Sequence, residues 1–163
     1  MSTPAFLQGI LGHERGLFCN VVGAVLEEGR GQRADPKARS AEEIIEHLIG
    51  HNQDLIELLD DGVIHHRMQV PFETIEGAVA TLDQTFGEII DRLGRTDEES
   101  WMSPAKFLFG EQLIMEGPRM QLAWGLFLDS VHHRGQLSTY LRPMGSKVPS
   151  IYGPSADDQG EGH

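Results

Sequence analysis

A single cysteine among 163 residues leaves no partner for an internal disulfide, which fits a reducing cytoplasm. That residue, Cys19, stands among Leu17, Phe18, Val21 and Val22, the setting of an inert buried thiol rather than a reactive one. Basic side chains are also scarce. Lys and Arg number 13 against 25 Asp and Glu, for a formal net charge of -12. A phosphate backbone needs a basic surface, so nucleic acid is excluded as a partner. No stretch approaches the roughly 18 consecutive apolar residues of a membrane span. The opening residues carry His13, Glu14 and Arg15 inside an apolar stretch without a basic start, so they do not read as a signal peptide. Several chemistries lack their motifs as well. No histidine has a glutamate three residues before it, which removes the Glu-x-x-His units of di-iron bundles. "HERGL" lacks the second histidine of the metalloprotease signature, and no glycine-rich phosphate loop follows a strand.

What remains is an ordinary globular composition, 39% hydrophobic and 23% charged, of a length that suits one domain with a sizeable core. Four segments show helical periodicity. The first runs from about Ala5 to Glu28 and is weakened by Gly9, Gly12, Gly16 and Gly23, each costing roughly 1 kcal/mol against alanine. After the polar loop "GRGQRADPKARS", Ser40 and Glu43 form a capping box for a second helix ending near Gly62. "VIHHRMQVPFE" reads as a short connector with some strand character, which would make the second and third helices antiparallel neighbours. The third helix starts near Thr74 and reaches Leu93. "GRTDEESWMSPAKFLFGEQLIME" reads as an ordered crossover connection with at most a helical turn, interrupted by Pro104 and Gly110. The fourth helix follows Pro118 and runs to about Arg142. The expected architecture is all-α, a four-helix bundle over residues 1–143. A Gly/Pro/Ser-rich tail, 144–163, follows; its Ile151 and Tyr152 dock on the body and its last residues fray.

Two helices carry polar pairs at i,i+4 spacing. His47 and His51 flank the apolar stripe of the second helix. Asp129 and His133 interrupt the stripe Leu122, Leu126, Leu137 and Tyr140 of the fourth. Burying an unpaired carboxylate is costly, so Asp129 needs a partner or a metal. A mixed imidazole and carboxylate set suits Zn²⁺, Ni²⁺ or Fe²⁺, and hydrogen-bonded structural histidines would explain the same pairs. The other histidines are weaker candidates: His65 and His66 as solvated loop residues, His132 as pointing elsewhere, His13 as structural, His163 as part of the tail.

"HHRGQLSTYLRPMG" late in the fourth helix, together with "EHL" in the second, resembles the DinB/YfiT-like superfamily over about residues 5–143. The resemblance implies an up-down-down-up four-helix bundle, frequently a homodimer. It also implies a divalent metal site taking one histidine from the second helix and an [Asp/Glu/His]-x-x-x-His pair from the fourth. On this chain those ligands are His47, Asp129 and His133, with His51 as an alternative or supporting ligand. Asp129 departs from the histidine of many relatives and lowers the positive charge of the site. Gln136, one turn beyond His133, is positioned to bond a ligand or a bound molecule. Gly135 would allow close helix approach, and Arg134 would point outward to a surface or dimer contact. Trp124, Phe127 and Val131 form a second apolar stripe, read as core filling.

The resemblance implies, for some members, a metal-dependent enzyme acting with a low-molecular-weight thiol, as an S-transferase or an isomerase, and S-transfer is the leading expectation here. A low-molecular-weight thiol bound to the metal would be acidified to a thiolate that attacks a small electrophilic substrate. Two alternatives stand beside it. One is a metal-dependent hydrolase of a small molecule with His51 as base; the other is a non-catalytic dimeric bundle of the stress response.

Overall fold

The computed structural model describes residues 2–159. Four long helices build the body: α1 Thr3–Gly23, α2 Ala41–Asp61, α3 Ile75–Leu93 and a last one, Arg119–Leu141. A five-residue helix α4, Glu98–Met102, precedes that last helix, which is therefore α5. None is long and apolar enough to cross a membrane. Their starts follow local chemistry. Ser40 Oγ accepts from the Glu43 N–H while the Glu43 carboxylate accepts from the Ser40 N–H, the expected capping box. Thr74 Oγ1 accepts from the Gly77 N–H to begin α3, as the sequence indicates. Gly62 ends α2 in the left-handed region at φ 71°, where a Cβ would be strained. Helix α1 tolerates its glycines because its other face buries Leu7, Leu11, Phe18 and Val21 completely or nearly so.

Contacts between the helices fix their directions. Gln8 reaches the Ile90 carbonyl, Arg15 pairs with Asp83 and Phe18 meets Phe86, so α1 and α3 run oppositely. Asn52 donates to Thr85 and Arg92 pairs with Asp60, so α2 and α3 run the same way. Tyr140 donates to the Arg39 carbonyl at one end of α5, and Arg119 donates to the Leu59 carbonyl at the other, making α5 antiparallel to α2. Phe6 beside Trp124 and Glu14 beside Arg134 make it parallel to α1. The result is up-down-down-up.

This corrects the expectation that the second and third helices are antiparallel. The connector between them is no turn; it travels back along α2. It opens as strand β1, Val63–His65, passes Arg67 against Asp54, and reaches Glu46, whose carbonyl accepts from the Val70 N–H. Gly50 makes the passage possible, since a Cβ there would lie 2.4 Å from the Arg67 carbonyl oxygen.

The all-α expectation also needs correction. The presumed crossover after α4 is a hairpin of β2, Pro104–Phe109, and β3, Gln112–Pro118, and β1 joins β2 in parallel to complete a three-stranded sheet. The two residues taken as interruptions are the sheet's own punctuation. Pro104 occupies the first position of its strand, where no ladder N–H is required. Gly110 sits in the turn at φ 59°. Within the tail, Ile151 packs on the core and Arg134 donates to the Tyr152 hydroxyl. The fraying expected of the last residues falls at 160–163, outside the described residues.

Candidate metal centre

Three elements converge on one cavity of about 670 Å³ between α2 and α5. One turn apart on α2, His47 and His51 both point into it and are 3% exposed. Helix α5 supplies Asp129 and His133 at the same spacing, and the return segment after β1 supplies His66. Asp129 Oδ2 lies 3.7 Å from His47 Nε2, 3.5 Å from His51 Nε2 and 3.4 Å from His133 Nε2. Donors held at about 2.1 Å around a tetrahedral ion stand about 3.4 Å apart, so these spans fit a divalent cation. Two triads have donor atoms within 4.8 Å of one another: His47, Asp129 and His133; and His47, His51 and His66.

The hydrogen bonds on the outer ring nitrogens decide what the inner ones offer. His47 Nδ1 faces the Met68 carbonyl at 3.0 Å, and a carbonyl only accepts, so this nitrogen carries the proton. His66 Nδ1 donates to Asp54 at 2.6 Å. Ser130 spends its hydroxyl proton on the Leu126 carbonyl and so accepts from His51 Nδ1. Gln136 Oε1 accepts from His133 Nδ1 at 3.1 Å. Each ring is thereby fixed in the tautomer that leaves an Nε2 lone pair, the arrangement metal-bound histidines adopt.

Burial, with His47 as neighbour, pushes the His51 pKa down to about 3, so the ring is neutral at ordinary pH. The adjoining His133, then His47, holds the Asp129 carboxyl well below the usual carboxylate range. Among the described residues, only Arg39 brings a donor to the inner nitrogens, Nη1 standing 3.3 Å from His133 Nε2. Inner ring nitrogens gathered around a carboxylate make a group that could hold a metal ion.

A model of the DinB family matches residues 11–161. The chain belongs to the DinB family. Solved structures that share its fold include two DinB-like proteins. A DinB-like protein of Bacillus subtilis, YjoA, is 17% identical at TM-score 0.68, with 88% of this chain and 97% of that one covered. A DinB-like protein of Bacillus cereus is 16% identical at TM-score 0.70, with 90% and 95% covered. No curated protein matches.

This DinB chain gathers His47, His51, Asp129, His133 and Gln136 as the sequence suggests, with two differences at the site. Asp129 is not part of a buried stripe; its side chain is half exposed at the cavity mouth. His66 is not solvated, because Asp54 draws its ring inward and leaves it 10% exposed. Arg134 does not point outward either. It lies buried, paired with Glu14 and stacked over Phe18 at 4.5 Å. Gly135 brings no helix close, since a Cβ there would meet nothing within 4 Å. His65 is exposed on Glu57 and His13 is exposed as well; His132, expected to point elsewhere, is exposed but lines the cavity beside His133. His163 lies outside the described residues. Phe127 is buried, with Trp124 and Val131 packed partly against the core.

Proposed function

We propose that this DinB protein is a metal-dependent S-transferase that joins a low-molecular-weight thiol to a small electrophile. The supporting observation is the set of Nε2 lone pairs fixed around the Asp129 carboxylate. His47, Asp129 and His133 would hold the ion, which is Zn²⁺, Ni²⁺ or Fe²⁺ by the chemistry of the donors. His51 stands as an alternative ligand, and Gln136 keeps His133 in its tautomer. When bound, the ion would acidify a coordinated thiol and so supply the nucleophile.

The surrounding residues then have defined tasks. Met68, Phe107, Leu122 and Leu126 give the cavity apolar walls that exclude water, and its volume suits a small molecule. Lys37 and Arg39 line the same cavity in a protein of net charge -12, so they favour an anionic thiol or substrate at this one place. Arg39 would turn from His133 to that anion once the ion takes the imidazole nitrogen. Cys19 is unsuited to serve as the nucleophile. It does not line the cavity, and burial raises its pKa. The lone cysteine supports a cytoplasmic setting, where such thiols are abundant.

Hydrolysis with His51 as base gains little support, because a ring whose pKa lies near 3 is a weak base at neutral pH. The test is to incubate metal-loaded protein with bacillithiol or mycothiol and an electrophile, alongside elemental analysis of wild type and His133→Ala. Conjugate formation and loss of metal in the variant are expected. Metal retention with no conjugate from any cellular thiol would overturn the transferase reading, and a variant altered only in stability or assembly would favour the non-catalytic bundle.

A further inference from the structure

The ligand set above leaves out the one histidine of the cavity that no long helix carries. We propose that His66 is also a metal ligand, and that binding of the ion fastens residues 66–68 of the return segment onto α2. This rests on the reading of the cavity as a metal site and adds to it both a ligand and a moving part.

Three observations carry the inference. First, the donor atoms of His66, His47 and His51 lie within 4.8 Å of one another, a triad of imidazoles alone that shares His47 with the Asp129 and His133 set, so an ion ligated by His66 sits on this side of His47. Second, His66 is oriented as a ligand from behind. Its Nδ1 donates at 2.6 Å to Asp54, a carboxylate with no exposed surface, and the Phe107 ring lies 5.0 Å from its own. A carboxylate behind an imidazole raises the basicity of the opposite nitrogen and fixes its direction. Third, the same segment already serves His47, whose Nδ1 is held by the Met68 carbonyl. Two of the inner nitrogens thus depend on where residues 66–68 lie.

The attachment of that segment is local and polar. Asp54 accepts from the Arg67 backbone and side chain as well as from His66, and Gly50 lets the Arg67 carbonyl sit against the helix. Ile64 in the core, and Val70 and Phe72 packed against it, anchor the two ends, so the part whose docking can be linked to a ligand is the polar stretch 66–68 between them. An ion that binds only the docked arrangement stabilises it by mass action. Asp54 would then act as a positioning residue for the metal, through His66.

Co²⁺ titration of the full chain, followed by visible absorption and by hydrogen exchange of the amides at 66–70, separates the outcomes. Wild type should bind one ion, with exchange at 66–70 slowed in the loaded protein. His66→Ala should lose affinity at least tenfold, shift the absorption bands, and lose the metal-dependent slowing. Asp54→Asn should lose affinity about 10- to 100-fold. His66→Gln, which keeps a donor for Asp54, guards against simple loosening of the segment and should show the same altered spectrum. If His66→Ala and His66→Gln match wild type in affinity and spectrum, His66 is no ligand and the inference falls while the metal site stands. If wild type binds no Co²⁺, the metal reading itself falls.

Discussion

Arg134 takes a full positive charge into the interior and meets Glu14 there, with Tyr152 as a second acceptor and Phe18 under its guanidinium plane. Removing one member leaves the other charge buried without compensation, which costs about 3–5 kcal/mol. We expect Arg134→Met to lower unfolding free energy by about that amount in urea titrations. Adding Glu14→Leu should recover most of the loss. The pair also shows which residue roles were legible. Asp129 and His133 were, because both lie on one helix at a spacing that forces them onto one side. Arg134 was not, because its partner comes from 120 positions earlier and nothing local announces it. His66 was missed for the same kind of reason, its anchor Asp54 being reached only by a chain that doubles back.

Among the elements, α2 is the most constrained, and two glycines measure how unevenly such constraint is spread. Gly50→Ala would push a methyl group into the Arg67 carbonyl, which is backbone and cannot swing aside. The expected loss is about 1–3 kcal/mol in thermal or urea unfolding, with weaker metal binding because residues 66–68 are displaced. Gly135→Ala on α5 should do the opposite. Nothing lies within 4 Å of the new methyl group, so stability should rise by up to about 1 kcal/mol from helix propensity alone. The caps of α2 and α3 were readable because Ser40, Glu43 and Thr74 act within one turn. The sheet was not. Its parallel pairing of β1 with β2 joins residues more than forty positions apart, and Pro104 and Gly110 read equally well as loop breakers or as strand punctuation.

For the molecule as a whole, directions and assembly matter. The up-down-down-up course places α1 and α5 side by side in parallel, and their outer edge carries exposed Phe6 and Leu128 with Trp124 one turn from the latter. We propose that this apolar patch is the contact of a homodimer. Sedimentation equilibrium should give twice the chain mass of 18.1 kDa. Leu128→Glu should return the monomer without altering the metal content, since Leu128 does not line the candidate metal cavity.

The strand register at the head of the return segment sets a length rule on the gene. Ile64 opposite Phe107 faces inward, His65 opposite Leu108 faces outward, and the next residue enters the cavity. Extended chain alternates sides at every residue, so losing one codon between Gly62 and His66 would swap the sides. A guanidinium from Arg67 would then arrive where an imidazole now stands. Insertions at the hairpin tip around Gly110 carry no such penalty. Natural variants should therefore differ in length at that tip and keep a fixed count from Gly62 to His66.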